Sequence, residues 1–287
     1  MERQINRSHN TKARVKELLI KILLYTQILF MCLLVLVPIM WIIGSSFNPA
    51  SALTNATMFP RNPTLRHYVH LLTETNYLRW ARNSLQIAVL HTAFSVFLSA
   101  SVGFIFGRFM FKGKKVALMT MLILQVFPSF MAMTALYVLF LTFGLLDTHL
   151  ALLLVYSAGQ IPFNTWLIKG YLDSIPKELD ESAMLDGASK VQIFFRIIFP
   201  LAKPILSFVA VTAFMTPWMD FIFPRLILRA DTNLTLAIGL FNLIEGNQNE
   251  YTVFAAGAVL IAIPITLLFV VFQKYMIEGI MAGANKG

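Results

Sequence analysis

Long apolar runs dominate the chain and are separated by short polar stretches. Six runs reach the roughly 20 mostly apolar residues that a helix needs to cross a bilayer, and they cover 19–43, 84–107, 116–141, 150–168, 205–223 and 253–273. The runs are continuously apolar, whereas strands of a membrane β-barrel alternate. Backbone groups in hydrocarbon must be paired within their own segment. The pattern therefore predicts an all-α, polytopic membrane protein with six transmembrane helices.

Composition agrees with a membrane bundle. Hydrophobic residues make up 57% and charged residues 13% of the chain, and the mean hydropathy is +0.71, whereas a soluble domain carries about 25% charged residues. The single cysteine, Cys32, lies in the first apolar run, so no intrachain disulfide is possible. That run is too long for a secretory signal core and is predicted to be retained.

Basic side chains are divided unequally between the two sides of such a bundle. Of the 23 Lys and Arg residues, 17 fall in the N-terminal tail, the second-to-third and fourth-to-fifth connections and the C-terminal end, and 6 fall on the other side. The positive-inside rule then predicts that both termini are cytoplasmic in a multi-pass protein of the cell membrane. The same distribution disfavours nucleic acid as the reason for the net charge of +9.

The connection 173–204 is patterned unlike the other loops. Asp173 and Ser174 are predicted to cap a short helix, and acidic residues follow where a helix N-terminus favours them. Gly187 indicates either the end of that helix or a close backbone approach. A second, apolar helix is predicted over 188–199, with prolines after it. Two short helices joined in this way suit docking on a partner protein. The alternative is that they pack only on the transmembrane helices of this chain.

The same stretch resembles the EAA motif of permeases of binding-protein-dependent ABC importers. That pattern is Glu-Ala-Ala, then Asp-Gly-Ala, then an apolar stretch ending in Leu-Pro, and this chain departs from it at Ser182 and Phe199. The matching positions are Glu181, Ala183, Asp186, Gly187, Ala188, Phe194, Ile197, Pro200, Leu201 and Pro204. The resemblance implies an ABC importer permease fold whose coupling helix docks on an ATP-binding subunit, with Glu181 as an electrostatic contact or cap and Gly187 permitting close approach. The residues implied in ATPase coupling are Glu181, Ser182, Ala183, Asp186, Gly187, Ala188 and Pro200.

Most of the chain resembles the carbohydrate branch of that family, and within it the second permease subunit of maltose/maltodextrin importers. The C-terminal stretch resembles a tail that reaches between the ATPase subunits, which implies contacts by Ala282, Gly283, Lys286 and Gly287. The implied partners are a second homologous permease, two ATP-binding subunits, an external substrate-binding protein and membrane lipid. The sequence contains no Gly-x4-Gly-Lys-Ser/Thr motif. The chain is therefore predicted not to be an enzyme and to bind no cofactor, with ATP used by its partners.

These features divide the chain into four parts. They are a cytoplasmic tail (1–18), the first transmembrane helix with an external loop (19–83), the core permease domain (84–277) and a cytoplasmic C-terminal tail (278–287).

A sugar pathway needs hydroxyl partners and aromatic faces, and ordinary packing or interhelical hydrogen bonding is the alternative role for each such residue. The candidates are Gln125, Tyr137, Tyr156, Asn164 and Trp218, with Gln160 beside them. Asp220, near the outer end of the fifth run, is expected to pair with Arg225 or Arg229, or to reach water. His67 and His70 are expected on the surface of an outer loop.

The predicted function is translocation of a carbohydrate, maltose or maltodextrin first, by the permease subunit of an ATP-driven importer. An ATP-independent carrier or channel is one alternative, and a membrane scaffold that only docks a cytoplasmic partner is another. Acidic residues are scarce in the middle of the apolar runs, which argues against a proton-coupled carrier. The EAA-like segment argues against both alternatives.

Overall fold

The computed structural model describes the backbone of residues 2–49, 57–245 and 250–284, and within these ranges it contains helices and loops but no strand. Side chains are described over 16–49, 57–128, 130–245 and 250–276. Within the described backbone ranges thirteen α-helices follow one another, with a π-helical turn at Phe194–Ile198 between α8 and α9 and a short 3-10 helix at Asp231–Asn233. They are α1 Glu2–Ser46, α2 Arg66–Glu74, α3 Tyr77–Arg108, α4 Lys114–Val126, α5 Ser129–Thr142, α6 His149–Leu172, α7 Glu178–Leu185, α8 Lys190–Ile193, α9 Phe199–Leu201, α10 Lys203–Met219, α11 Ile222–Ile227, α12 Leu236–Ile244 and α13 Tyr251–Ala284.

Six membrane spans are obtained when two bent helix pairs are each counted once. Helices α1, α3, α6 and α13 are long and apolar enough to cross a membrane unbroken. The third span is α4 and α5, bent by 101°, and the fifth is α10, which meets the preceding stretch Lys190–Leu201 at a bend of 79°. The sequence-based prediction of an all-α bundle with six spans is therefore confirmed.

Proline explains the break in the third span, which the sequence predicted as one helix over 116–141. Pro128 lies between α4 and α5, with φ −62° and ψ 121°. Because proline has no N–H and disfavours a helical residue before it, Phe127 leaves the helix at ψ 125°. Pro38, Pro162, Pro217 and Pro264, in contrast, lie inside continuous helices.

Helices α3 and α6 pack closely along a stripe of small residues. Ser95, Ser99, Gly103 and Gly107 recur at every fourth position of α3, so they share one face. A Cβ atom at Gly103 would lie 2.8 Å from Cγ2 of Ile168 on α6. Small residues on such a stripe let two helix backbones approach in a membrane. Helix α10 packs against the same pair.

Two apolar clusters form the core at opposite ends of these helices. One contains Trp80, Tyr156 and Trp218, with the loops that surround α11 and α12. The other contains Phe104 and Phe194 and holds α8 and α9 against α3 and α6. Helix α1 is different, because its side chains over 16–40 are exposed and it packs mainly on α13.

One expected surface histidine is buried. His67 Nε2 lies 2.7 Å from the backbone oxygen of Asn48, and Nδ1 lies 3.3 Å from Oγ1 of Thr252. The expectation was wrong because the loop after α1 folds back onto α2 and α13, and His67 joins them. The C-terminal candidates Ala282 and Gly283 lie in the last turn of α13, and Lys286 and Gly287 lie outside the described residues.

Candidate functional site

Helix α7 ends in a Schellman motif that favours glycine. The amide of Gly187 donates to the Met184 oxygen at 3.1 Å, and the amide of Ala188 donates to the Ala183 oxygen at 2.9 Å. These bonds place Gly187 at φ +84°, a left-handed conformation in which glycine carries no steric penalty. A Cβ atom there would meet none of the described residues within 4 Å. Of the two sequence-based interpretations, Gly187 ends the helix, and close approach could only involve another molecule.

The beginning of α7 differs from the sequence-based prediction. Asp173 follows the last turn of α6 as its C-cap, and its carboxylate accepts from Lys169 Nζ at 2.6 Å. The hydroxyl of Ser174 donates to the Tyr171 oxygen. The prediction that these residues cap α7 was wrong because α6 extends to Leu172 and uses both of them. Helix α7 begins at Glu178 without a side-chain cap.

The apolar half of this segment begins with a strong cap. Ser189 Oγ accepts from the Gln192 amide at 3.3 Å, and the Ser189 amide donates to Gln192 Oε1 at 2.7 Å. This capping box starts a helix that runs to Leu201 through the π-helical turn. The predicted helix over 188–199 is therefore present over Lys190–Leu201, and Pro200 is exposed within it. We call Glu178–Leu201 the α7–α9 segment.

A buried arginine joins this segment to two spans. Arg108, at the end of α3, donates to the backbone oxygens of Leu172 and Ile175, both at 3.1 Å, and its Nε lies 2.5 Å from Oδ2 of Asp180. Asp180 is 7% exposed. Burial raises the pKa of its carboxyl, and the Arg108 guanidinium opposes that rise. One side chain therefore fixes the end of α3, the end of α6 and the first turn of α7 relative to one another.

Aromatic packing attaches the second half of the segment. The ring of Phe194 packs on that of Phe104 at 5.2 Å between centroids, and Phe104 packs edge-on against Phe109 at 5.6 Å. Lys190 Nζ lies 4.3 Å from the centre of the Phe109 ring. Closely packed protein interiors transmit displacement. A force applied to the α7–α9 segment would therefore reach α3 through these aromatic contacts.

The opposite face of the segment is exposed and contains large apolar side chains. Leu185 is 90% exposed, and Leu179, Met184 and Val191 are exposed as well. Of the residues implied in ATPase coupling, Ala183 and Ala188 are half-buried; the exposed ones are Glu181, Ser182, Asp186, Gly187 and Pro200. An apolar surface with charges around it is typical of a protein interface.

A second feature is a cavity of about 770 Å³ between the ends of α4 and α5 and the middle of α6, which we call the α5–α6 cavity. Among the residues whose side chains are described, five polar ones line it. The Tyr156 hydroxyl donates to Asp220 Oδ2 at 2.8 Å, and Gln125 Nε2 donates to the Gly159 oxygen at 3.1 Å. Gln160 donates to Thr216 Oγ1, and its Oε1 lies 3.1 Å from Nε2 of the buried His91.

Two of the five candidates for a sugar pathway line this cavity, Gln125 and Tyr156. The other three have partners elsewhere. Asn164 donates to Ser95 Oγ at 3.0 Å, Trp218 donates to the Ile261 oxygen at 3.0 Å, and the Tyr137 hydroxyl accepts from Arg229 at 2.8 Å.

Asp220 contacts neither arginine that was expected to pair with it. Its Oδ1 accepts from the amide of Ile222 at 3.0 Å, so the carboxylate caps α11, and Arg225 pairs with Glu245 at 2.7 Å. The expectation of an arginine partner was wrong because α10 ends at Met219 and the chain turns into α11. Sequence reasoning also missed Thr216 and His91 as neighbours of Gln160. Tyr156 and Gln160 are four positions apart on one helix. This spacing is the only sequence signal that they lie on the same face.

Known proteins resemble this chain in sequence. Residues 99–281 match the model of a family described as binding-protein-dependent transport system inner membrane component. The chain is 43% identical over 267 residues to the galactooligosaccharides transport system permease protein GanQ of Bacillus subtilis, covering 92% of this chain and 94% of that one. It is 38% identical over 276 residues to the maltodextrin transport system permease protein MdxG of the same species, with 96% and 99% covered.

A solved structure shares the fold. A chain in the crystal structure of a bacterial ABC transporter involved in the import of the acidic polysaccharide alginate superposes with a TM-score of 0.79. The match covers 90% of this chain and 96% of that chain at 22% sequence identity.

Proposed function

Because this chain belongs to the family of binding-protein-dependent transport system inner membrane components, we propose that it is a membrane-spanning permease subunit of an ATP-driven importer of neutral oligosaccharides. The complete relatives at 43% and 38% identity are permeases of oligosaccharide transport systems. The observation that carries the proposal is the α7–α9 segment. One of its faces is fixed to α3 and α6 through Arg108, and the other presents exposed Leu185 beside Gly187.

In this proposal the exposed face of the α7–α9 segment docks on an ATP-binding subunit in the cytoplasm, and both termini lie on that side. Glu181 and Asp186 supply charge at the edge of the interface, and Gly187 at the end of α7 keeps large or charged side chains out of the contact. The assembly contains a second permease, two ATP-binding subunits and an external binding protein. ATP is hydrolysed by the partners, and this chain catalyses no reaction. Ala282, Gly283, Lys286 and Gly287 would contact the ATP-binding subunits.

The polar lining of the α5–α6 cavity supports a neutral substrate. Among the described residues, those that line it include one carboxylate, Asp220, and no Lys or Arg. An acidic sugar would be repelled by Asp220, whereas hydroxyl groups can donate to it and accept from the amide nitrogens of Gln125 and Gln160. Galacto-oligosaccharides and maltodextrins, the sugars in the names of the two relatives, are the first substrates to test.

The cavity yields a matched pair of variants. Tyr156→Phe removes the hydroxyl that donates to Asp220, and a hydrogen bond to a charged group contributes roughly 1.5–3 kcal/mol. We expect KM for oligosaccharide uptake to rise about tenfold, with less change in ATP hydrolysis without sugar. Tyr137→Phe removes a hydroxyl bonded to Arg229 outside the cavity and should leave KM unchanged. Equal KM values in both variants would contradict a substrate role for the cavity.

The function itself is tested with the assembled transporter in vesicles. ATP hydrolysis is measured with the external binding protein and each sugar in turn, galacto-oligosaccharide, maltodextrin or an acidic oligosaccharide. We expect one neutral sugar to stimulate hydrolysis and to accumulate in the vesicles with ATP. Sugar flux through the purified chain alone would instead establish an ATP-independent carrier. Absence of flux with all partners present would leave a scaffold role.

A further inference from the structure

We propose that a groove between α4 and the end of α6 binds an anionic phospholipid. The groove has a volume of about 500 Å³ and lies at the end of the bundle that contains the α7–α9 segment. Three lysines line it, Lys114 and Lys115 at the beginning of α4 and Lys169 near the end of α6. Neither the sugar pathway nor the α7–α9 segment uses these residues.

The groove changes from basic to apolar along α4. Lys115, Leu118, Met119 and Leu122 are spaced by three, four and seven positions, so they occupy one face of the helix. A helix rises about 1.5 Å per residue, which puts Leu122 roughly 10 Å deeper than Lys115. The ligand must therefore have an anionic end and an apolar end of at least that length. A phospholipid has both, whereas a free phosphate could use only the lysines.

A tryptophan marks the same level on the facing helix. Trp166 lines the groove one turn before Lys169, and its indole N–H donates to the Leu118 oxygen at 2.9 Å. This bond holds α6 against α4 at the point where basic lining gives way to apolar lining. Tryptophan and lysine at a helix end are typical of the boundary between headgroups and acyl chains.

The lysines retain donors for a headgroup. Lys114 Nζ donates to the Phe109 oxygen at 3.1 Å, and Lys169 Nζ donates to Asp173 at 2.6 Å. An ammonium has three N–H donors, so each keeps free ones, and Lys115 is exposed. Among the described residues, those that line the groove include no acid. A helix of a partner protein would remove water from these lysine charges. That desolvation is costly unless the partner supplies acidic side chains to pair with them.

The experiment uses tryptophan fluorescence in the full chain. The protein is reconstituted in phosphatidylcholine vesicles that contain acyl-brominated phosphatidylglycerol or acyl-brominated phosphatidylcholine. The quenching of Trp166 is obtained as the difference in quenching between the unmodified protein and Trp166→Phe. We expect half-maximal Trp166 quenching at a mole fraction of the anionic lipid about fivefold lower than that of the zwitterionic lipid, the effect of roughly one lysine near a membrane surface.

Two lysine variants separate a site from diffuse charge. Lys114→Gln with Lys115→Gln should remove the preference for phosphatidylglycerol and keep quenching by both lipids, which also shows that the fold is retained. Lys112→Gln, an exposed residue outside the groove lining, should leave the preference unchanged. An equal loss in Lys112→Gln, equal quenching of the unmodified protein by both lipids, or no quenching that depends on Trp166 would each overturn the proposal.

Discussion

Replacement of Arg108 by glutamine is expected to reduce ATP-driven sugar uptake at least tenfold. The guanidinium is bonded to two backbone oxygens and to Asp180 in a buried position. Loss of one partner of a buried pair costs roughly 3–5 kcal/mol because the other charge remains without compensation. The first turn of α7 would then separate from α3 and α6. Uptake and sugar-stimulated ATP hydrolysis in vesicles with the complete assembly measure the effect.

Controls distinguish lost coupling from lost folding. Lys112→Gln changes the net charge equally, four positions away and on an exposed side chain, and should retain uptake. In the double variant Arg108→Met with Asp180→Leu no uncompensated charge remains, so its thermal stability should exceed that of Arg108→Gln. If the double variant is as unstable as the sum of its single changes, the pair does not act as a unit.

The Arg108–Asp180 pair also shows what sequence reasoning could not find. In the sequence, Arg108 is one of several basic residues in the connection between the second and third apolar runs, and Asp180 is one of three acids suited to a helix N-terminus. Both descriptions are local. The pairing depends on how far α3 and α6 extend and on which side of α7 faces them, and both are decided by tertiary packing.

The number and type of the spans could be predicted because hydrocarbon imposes a simple requirement. A run of about 20 apolar residues in lipid has few alternatives to a helix. Helix ends are decided by weaker and more local effects. Pro128 breaks one span where four other prolines do not break theirs, and Asp173 ends α6 although its side chain is equally suited to begin α7. These outcomes depend on neighbouring helices that the sequence does not place.

Residue type identified only some of the residues that line the α5–α6 cavity. Amides and aromatic rings serve a sugar and also join helices in lipid. Tyr156 and Asn164 lie on the same helix, yet Tyr156 borders the cavity and Asn164 bonds to Ser95 in the contact with α3. Hydropathy does not distinguish these positions. Only the rotation of α6 against α3, fixed by the small residues of α3, separates them.

A series of replacements at Gly187 is expected to separate the shape of the α7–α9 segment from its contact with a partner. Gly187→Asn keeps a residue that adopts the left-handed conformation at little cost, and its Cβ would meet none of the described residues within 4 Å. It should retain at least about half of the uptake. Gly187→Glu pays roughly 1–2 kcal/mol for the same conformation and adds a charge to the exposed face. Uptake should fall below about a tenth, while membrane insertion remains normal.

The difference between the two variants tests whether position 187 contacts a partner. In the described part of the chain nothing lies within 4 Å of a Cβ at position 187, so crowding among the described residues does not explain a loss. Co-purification with the ATP-binding subunits should therefore fail for Gly187→Glu and succeed for Gly187→Asn. Equal loss in both would mean that the partner's backbone comes too close for any side chain at position 187. Normal uptake by Gly187→Glu would place the docking surface elsewhere, because a buried carboxylate without a partner is not tolerated in a close interface.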